Sequence, residues 1–540
     1  MRSLLFLFGP LGLLAFAAAA SCSSTESGTL QLVYGEDDPF DASPAATSIV
    51  ISLAKAEPEG GAVLDGDWSP PVKLVESAYP VRTLTLPQQS TDDVDTFEAT
   101  LYDSQDAAII FGQTLPVQLA GLNSDSISAL EIFVQRTGQF ARLPSPFSSV
   151  PVSPIASVVN GRYILVADGS GKSATAELYD LLFWAQVESA DGGKGALTLP
   201  CNPSVVAPIT GTTFVLVVCA PPEKDGDLLA YQVDISAGSP SVALSAAGSG
   251  GTWSSIGGGS VVVAPNGDVF VVGATRSAQS PVHGPTSGVL LLPTAEELGT
   301  EGGPVTVPYQ WLSLHESREG AAAAWSPGYG LVVVGGNSGS ELSLEYTASV
   351  TDGGTSAKSF DPVVSMASDP TQGLAAIATD KSHILVAGGA LPDGGLAPVR
   401  LIDLNAEGVV ACGSTSDAGA GDGGPMDGGG DAGDAGDGGD AGDGSLDAGA
   451  SIAVPLLTAQ GFLQPQADPI FIGEEGSDAG THAFVLPLDP GTMCPSASTE
   501  VPLRTPRRGT TAILSPLPSV LVIGGVTTIE SYVPTPDASR

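Results

Sequence analysis

Aliphatic runs that end in glycine or another small residue punctuate the chain beyond residue 160: YILVADG (163–169), FVLVVCA (214–220), VFVVGA (269–274), LVVVGG (331–336), ILVAGG (384–389), IFIGEE (470–475) and VLVIGG (520–525). Short apolar runs bounded by turn formers predict buried β-strands rather than helices. Counted at the second small residue, the motifs fall at 169, 220, 274, 336, 389, 474 and 525, at intervals of 51, 54, 62, 53, 85 and 51. The long interval contains the Asp/Gly tract 413–450, and without those 38 residues it shortens to 47. A period near ~50 residues is the mark of a repeat architecture.

Small residues precede most runs, as in RRGTTAILSP (507–516), GGGSVVVAPNG (257–267) and EGAAAAWSPGYG (319–330). After the runs come Tyr179, Tyr231, the stretch GVLLL (288–292), Tyr346, Ile402, Phe484 and Tyr532, each in an extended context. One repeat thus supplies a small-residue strand, a turn, an aliphatic strand ending in glycine, a variable loop and a further strand. Sheets that radiate from a common axis explain this order. Inner strands crowd and favour Gly or Ala, whereas outer strands have room for Tyr.

The set resembles the kelch-repeat β-propeller family, whose hallmark is an aliphatic run into a Gly-Gly doublet followed by a spaced Tyr and Trp. The doublet is intact at Gly335 and Gly336, Gly388 and Gly389, and Gly524 and Gly525, and Tyr179 with Trp184 in ELYDLLFW matches the aromatic pair. The resemblance covers residues 142–540 and implies an all-β propeller of seven blades, or six if one motif is irregular. An irregular array of two-sheet sandwiches is the alternative.

Residues 29–140 lack the doublets and instead carry short strand patterns such as TLQLVY, TSIVISLA, TFEATLYD and ALEIFVQ. They predict an immunoglobulin-like β-sandwich, with the role of a spacer rather than a second binding head.

The first 22 residues run from Arg2 through an apolar core to Ala19-Ala20-Ser21-Cys22, an export signal too short to span a bilayer. The segment resembles the lipobox of bacterial lipoproteins. That resemblance implies acylation of Cys22, a tether over 23–28 and, with Ser23 next, an outer-membrane or cell-surface address. Membrane attachment would be through the N-terminal lipid only. In such a compartment Cys201, Cys219, Cys412 and Cys494 are disulfide candidates; of three pairings, Cys201 with Cys219 and Cys412 with Cys494 is the one favoured.

Acidic residues outnumber basic ones 59 to 19, a formal net charge of -40, which argues against a nucleic-acid partner. The tract 416–450 holds nine Asp and no basic residue, and its composition predicts a solvated linker. Its Asp spacing fits neither an EF-hand nor a β-roll, so no metal is expected there. The four histidines, His283, His315, His383 and His482, fall in different repeats. Galactose oxidase is the enzymatic relative that a kelch resemblance brings in, but its copper, tyrosine and histidine chemistry is not matched here, and no nucleophile elbow or phosphate loop appears. The expectation is therefore a non-catalytic binding module without a cofactor, whose loops, 275–288 and 390–398 among them, contact a protein or glycan. A carbohydrate-active enzyme and a structural envelope component are the alternatives.

Overall fold

The computed structural model describes residues 29–55, 71–81, 83–85, 94–118, 130–168, 175–188, 196–199, 203–208, 214–219, 229–234, 241–245, 253–256, 260–276, 288–292, 310–318, 320–336, 342–347, 360–361, 364–367, 373–391, 395–410, 412, 452, 454–464, 467–475 and 480–535. All regular structure among them is β. The export signal, the tether and the Asp/Gly tract lie outside the described residues.

The N-terminal unit contributes β1 (Thr29–Val33), β2 (Ser48–Lys55), β3 (Val72–Ala78), β4 (Thr83–Thr85), β5 (Val94–Tyr102), β6 (Ala108–Gln113), β7 (Val117–Gln118), β8 (Leu130–Phe133) and β9 (Gln135–Arg136). One sheet has the order β4-β1-β8 and the other β3-β2-β5-β6-β9, with β7 also on β5. Alternation puts Ile49 and Ile51 of β2 and Phe97, Ala99 and Leu101 of β5 on one side, where they meet Leu30, Leu32, Leu130 and Ile132 of the other sheet in a shared core.

β10 (Gln139–Arg142) follows at once and leaves this unit: it pairs with the strand Glu530–Val533 near the other end of the chain, Phe140 opposite Tyr532. Between them the chain lays down sheet after sheet, mostly four-stranded meanders. The fourth is representative, running Ala322–Ser326, Gly330–Val334, Leu342–Tyr346, Val364–Ala367. Each sheet lies beside the next along its leading edge, formed by its first strand or, in the third sheet, by Val261–Val263, and Thr511–Leu514 of the closing sheet returns to lie beside Pro154–Val159 of the first. Sheets closed on themselves in this way form a β-propeller.

The core is accordingly divided among the seams. One cluster joins Val332, Val334, Leu342 and Leu344 of the fourth sheet to Ile384, Val386 and Ile402 of the fifth, and another joins Leu385 and Leu401 to Phe471 and Phe484 of the sixth. The small residues of the inner strands are there because the seams leave no room. A Cβ on Gly461, in the sixth sheet's first strand, would come within 2.8 Å of the Ile377 side chain of the fifth.

Candidate functional site

Three of the turns that follow the aliphatic strands are built alike. Gly335 and Gly336, Gly388 and Gly389, and Gly524 and Gly525 all have positive φ, between 67° and 107°, a region that disfavours any residue with a Cβ. The doublet reverses the chain after a buried strand. Of the loops expected to make contacts, 390–398 is launched from the doublet at Gly388 and Gly389.

Beneath two of the three doublets lies a device that neither the doublets nor the tyrosines announce. Arg318, wholly buried, donates from Nε to Glu345 Oε1 at 2.9 Å and from one terminal nitrogen to the carbonyls of Gly335 and Ser343, both at 2.9 Å. Glu345, also buried, accepts further bonds from the backbone N–H groups of His315 (2.6 Å) and Glu316 (3.2 Å). In the closing sheet Arg507 donates to Glu530 Oε1 at 2.6 Å and to the carbonyls of Val522 (3.2 Å) and Thr528 (3.1 Å), while Glu530 accepts from the N–H groups of Arg504 (2.8 Å) and Thr505 (2.9 Å). The two assemblies match position for position. Each arginine reaches the carbonyl of the first glycine of its doublet across 17 residues of sequence. Burial pushes the Arg507 guanidinium's pKa down, against the pull of the Glu530 carboxylate. In the first sheet Glu177 keeps the carboxylate's place, but among the described residues Ser148, Ser149 and Gln186 supply its side-chain and backbone donors in place of an arginine.

The aromatic pair singled out from the sequence is structural. Tyr179 is fully buried and donates from its hydroxyl to the Pro144 carbonyl at 2.6 Å; burial, with Asp180 nearby, raises its pKa well above the usual phenol value. Trp184 has φ 51° and packs on Phe133 of the N-terminal unit, ring centroids 5.0 Å apart. Tyr532 packs on Phe140, and burial pushes its phenol up to about 12. Three of the residues that follow the runs share a register: Tyr179 lies opposite Ile164, Ile402 opposite Ile384 and Tyr532 opposite Val520, four residues before Asp168, Gly388 and Gly524 respectively, whereas Phe484 lies opposite Phe471, two before Gly473. Tyr346 does not match. It lies opposite Val332, one position on, and the equivalent place belongs to Thr347, whose N–H bonds Leu331 O at 3.0 Å. Tyr346 consequently faces the other side of its strand and meets Tyr329 edge-on at 5.2 Å.

The histidines are not brought together. His315 Nδ1 sits 3.0 Å from Glu345, His383 Nδ1 2.7 Å from Asp380, and His482 Nδ1 2.8 Å from Glu500, each in its own sheet, while His283 lies outside the described residues. Among the described residues no group of three or more His, Cys, Asp or Glu is placed to hold a metal ion. Cys412 and Cys494 form a disulfide; a pairing of Cys201 with Cys219 lies outside what is described. Of the loops, 277–287 and 392–394 are outside the described residues, but the flanks of 390–398 close on each other, with Leu391 N–H bonded to Gly395 O at 2.8 Å and Leu396 exposed.

Similarity elsewhere is slight. No family model and no curated protein matches the sequence. Among solved structures, the dihydro-heme d1 dehydrogenase NirN in its complex with DHE aligns at 13% identity and a TM-score of 0.34, over 79% of this chain and 66% of that one, so the match spans just under two thirds of that protein's length.

Proposed function

We propose that the chain is an exported, lipid-anchored binding protein: acylated at Cys22, with an N-terminal β-sandwich and a kelch-like propeller of seven blades whose loops contact a protein or glycan at the cell envelope. Support for the kelch-like reading comes from the aliphatic second strand that recurs from sheet to sheet and from the left-handed glycine doublet that ends it in three of them. The observation that carries the binding role is the division of labour in each repeat. Strand pairing fixes each sheet, helped by glycine doublets in three of them and arginine–glutamate pairs in two, and the variable segments between the strands are free to differ, which is how rigid scaffolds carry recognition loops.

Metabolic labelling with radioactive palmitate tests the anchor: the full-length chain takes up label and the Cys22→Ser variant does not. A glycan array probed with the released protein, followed by an envelope pull-down, tests the binding role. Failure to retain any glycan or any envelope protein above a denatured control rejects it.

A further inference from the structure

We infer that the N-terminal unit is the lock of the propeller ring, rather than a spacer carried beside it. This goes beyond the binding role and does not depend on any ligand. Neighbouring sheets elsewhere in the ring are consecutive in sequence, so the chain itself joins them. The first and closing sheets stand at opposite ends of the series, and across their seam the chain runs only from β10, one strand of the closing sheet, through 143–153 into the first; the closing sheet's other three strands are held there by non-covalent contacts. Direct contacts across it include Gly525 N–H to Pro151 O at 3.1 Å and Gly524 packed on the Pro154 ring.

The N-terminal unit touches both sides of that seam. On the closing sheet, whose fourth strand is β10, the Gln135 side-chain nitrogen of β9 donates to Ser531 O at 3.1 Å. β10 is in turn gripped from the N-terminal side. The Arg142 backbone N–H donates to Asp37 Oδ2 at 2.8 Å, its guanidinium donates to both Asp37 oxygens at 3.1 and 2.8 Å, and Glu36 pairs with the same group. Gly35 lies so close that a Cβ there would run into the Arg142 carbonyl. Toward the first sheet, Phe133 stacks near Trp184, and Phe133 and Leu115 enter one hydrophobic cluster with Ile164 and Tyr179 of the first sheet and Leu521 and Ile529 of the closing sheet. Leu182, from the turn just before Trp184, packs on this cluster and on the N-terminal unit's own core alike. A body that merely leaned on the ring would touch one sheet. This one inserts side chains between the two that must meet.

Hydrogen exchange on the full chain, read by mass spectrometry, tests the lock. Asp37→Asn removes the carboxylate that holds Arg142 and leaves the fold of the N-terminal unit intact. Exchange at Glu530–Val533 and at Tyr163–Asp168 should then rise about tenfold, the scale of one lost charge-assisted bond. Exchange within Ala322–Ser326 and Gly330–Val334, across the ring, should stay as in the wild type. Phe133→Ala provides a second reading, raising exchange in the first sheet and shifting Trp184 emission to the red. Faster exchange confined to the N-terminal strands, or spread equally over every sheet, overturns the inference.

Discussion

Arg318→Met is the most direct test of what holds one sheet together. The substitution keeps the length and apolar stem of the side chain but deletes the cation beside Glu345, whose side chain is 0% exposed. Three consequences follow from the geometry. Glu345 loses its 2.9 Å guanidinium bond, and the Gly335 and Ser343 carbonyls each lose a donor at 2.9 Å. Glu345 keeps only backbone donors and the partly exposed His315 ring. Breaking a buried pair by removing one partner costs about 3–5 kcal/mol, because the remaining charge is left in a medium that solvates it poorly. Arg318→Lys should recover part of that loss, since an ammonium cannot serve the carboxylate and both carbonyls in the fixed fork of a guanidinium. The double variant Arg318→Met/Glu345→Leu should be less destabilised than the two single changes together by about 1.5–3 kcal/mol, the scale of coupling between groups in direct contact. Guanidinium denaturation followed by tryptophan fluorescence measures the four variants, Glu345→Leu included, against the wild type. A loss below about 1 kcal/mol for Arg318→Met, or strict additivity in the double variant, would refute the claim that the pair anchors the turn.

Other outcomes are open to measurement. Replacing Cys412 and Cys494 by Ser opens a covalent link spanning 82 residues and should lower stability by about 2–4 kcal/mol, measured by thermal unfolding with and without reductant. Glu98 is pushed by burial from 4.5 to about 7, so the folded state holds its proton more tightly than the unfolded chain. Its contribution is fully present below the unfolded pKa and lost as pH rises through about 7, which makes Glu98→Gln more stable than wild type at pH 8 by up to about 3 kcal/mol and equal to it near pH 4. Asp37 shows the opposite sign: burial raises its pKa, but the Arg142 hydrogen bonds and charge hold it below the usual carboxylate range. Its stabilisation is present above the unfolded value near ~3.9 and is lost as pH falls through the folded one, so exchange at Glu530–Val533 should accelerate below about pH 4 in the wild type but not in Asp37→Asn. Gly388→Ala, at φ 74° and 2.6 Å from the Ala459 side chain, should cost about 1–3 kcal/mol in thermal unfolding, against near neutrality at Gly408, which has ordinary space around it.

The ring was legible because its inner strands are described by a local rule. Three to five apolar residues and a stop are visible in any window that holds them, and the interval between stops survives the Asp/Gly tract. The Arg318–Glu345 and Arg507–Glu530 pairs were not seen, although their signal was present: a basic residue 17 positions ahead of a doublet, twice, in a chain with 19 Lys and Arg. Nothing in either residue alone separates a buried partner from a solvated one. Tyr346 was misleading for a related reason, since composition finds a tyrosine near the right place while only pairing shows it one position off. β10 was beyond reach. The boundary expected between 140 and 142 falls inside this strand, and its partner lies at Glu530–Val533.

That partnership has a cost in time during synthesis. With 396 residues separating Gln135 from Ser531, and translation adding about 5–20 residues per second, the segment 139–142 emerges some 20–80 s before the strand it must join exists. Until then its hydrogen-bonding edge is bare while the rest of the wheel is still being made, so a chaperone that shields early edges would improve the yield of folded protein more than one that acts on the finished chain.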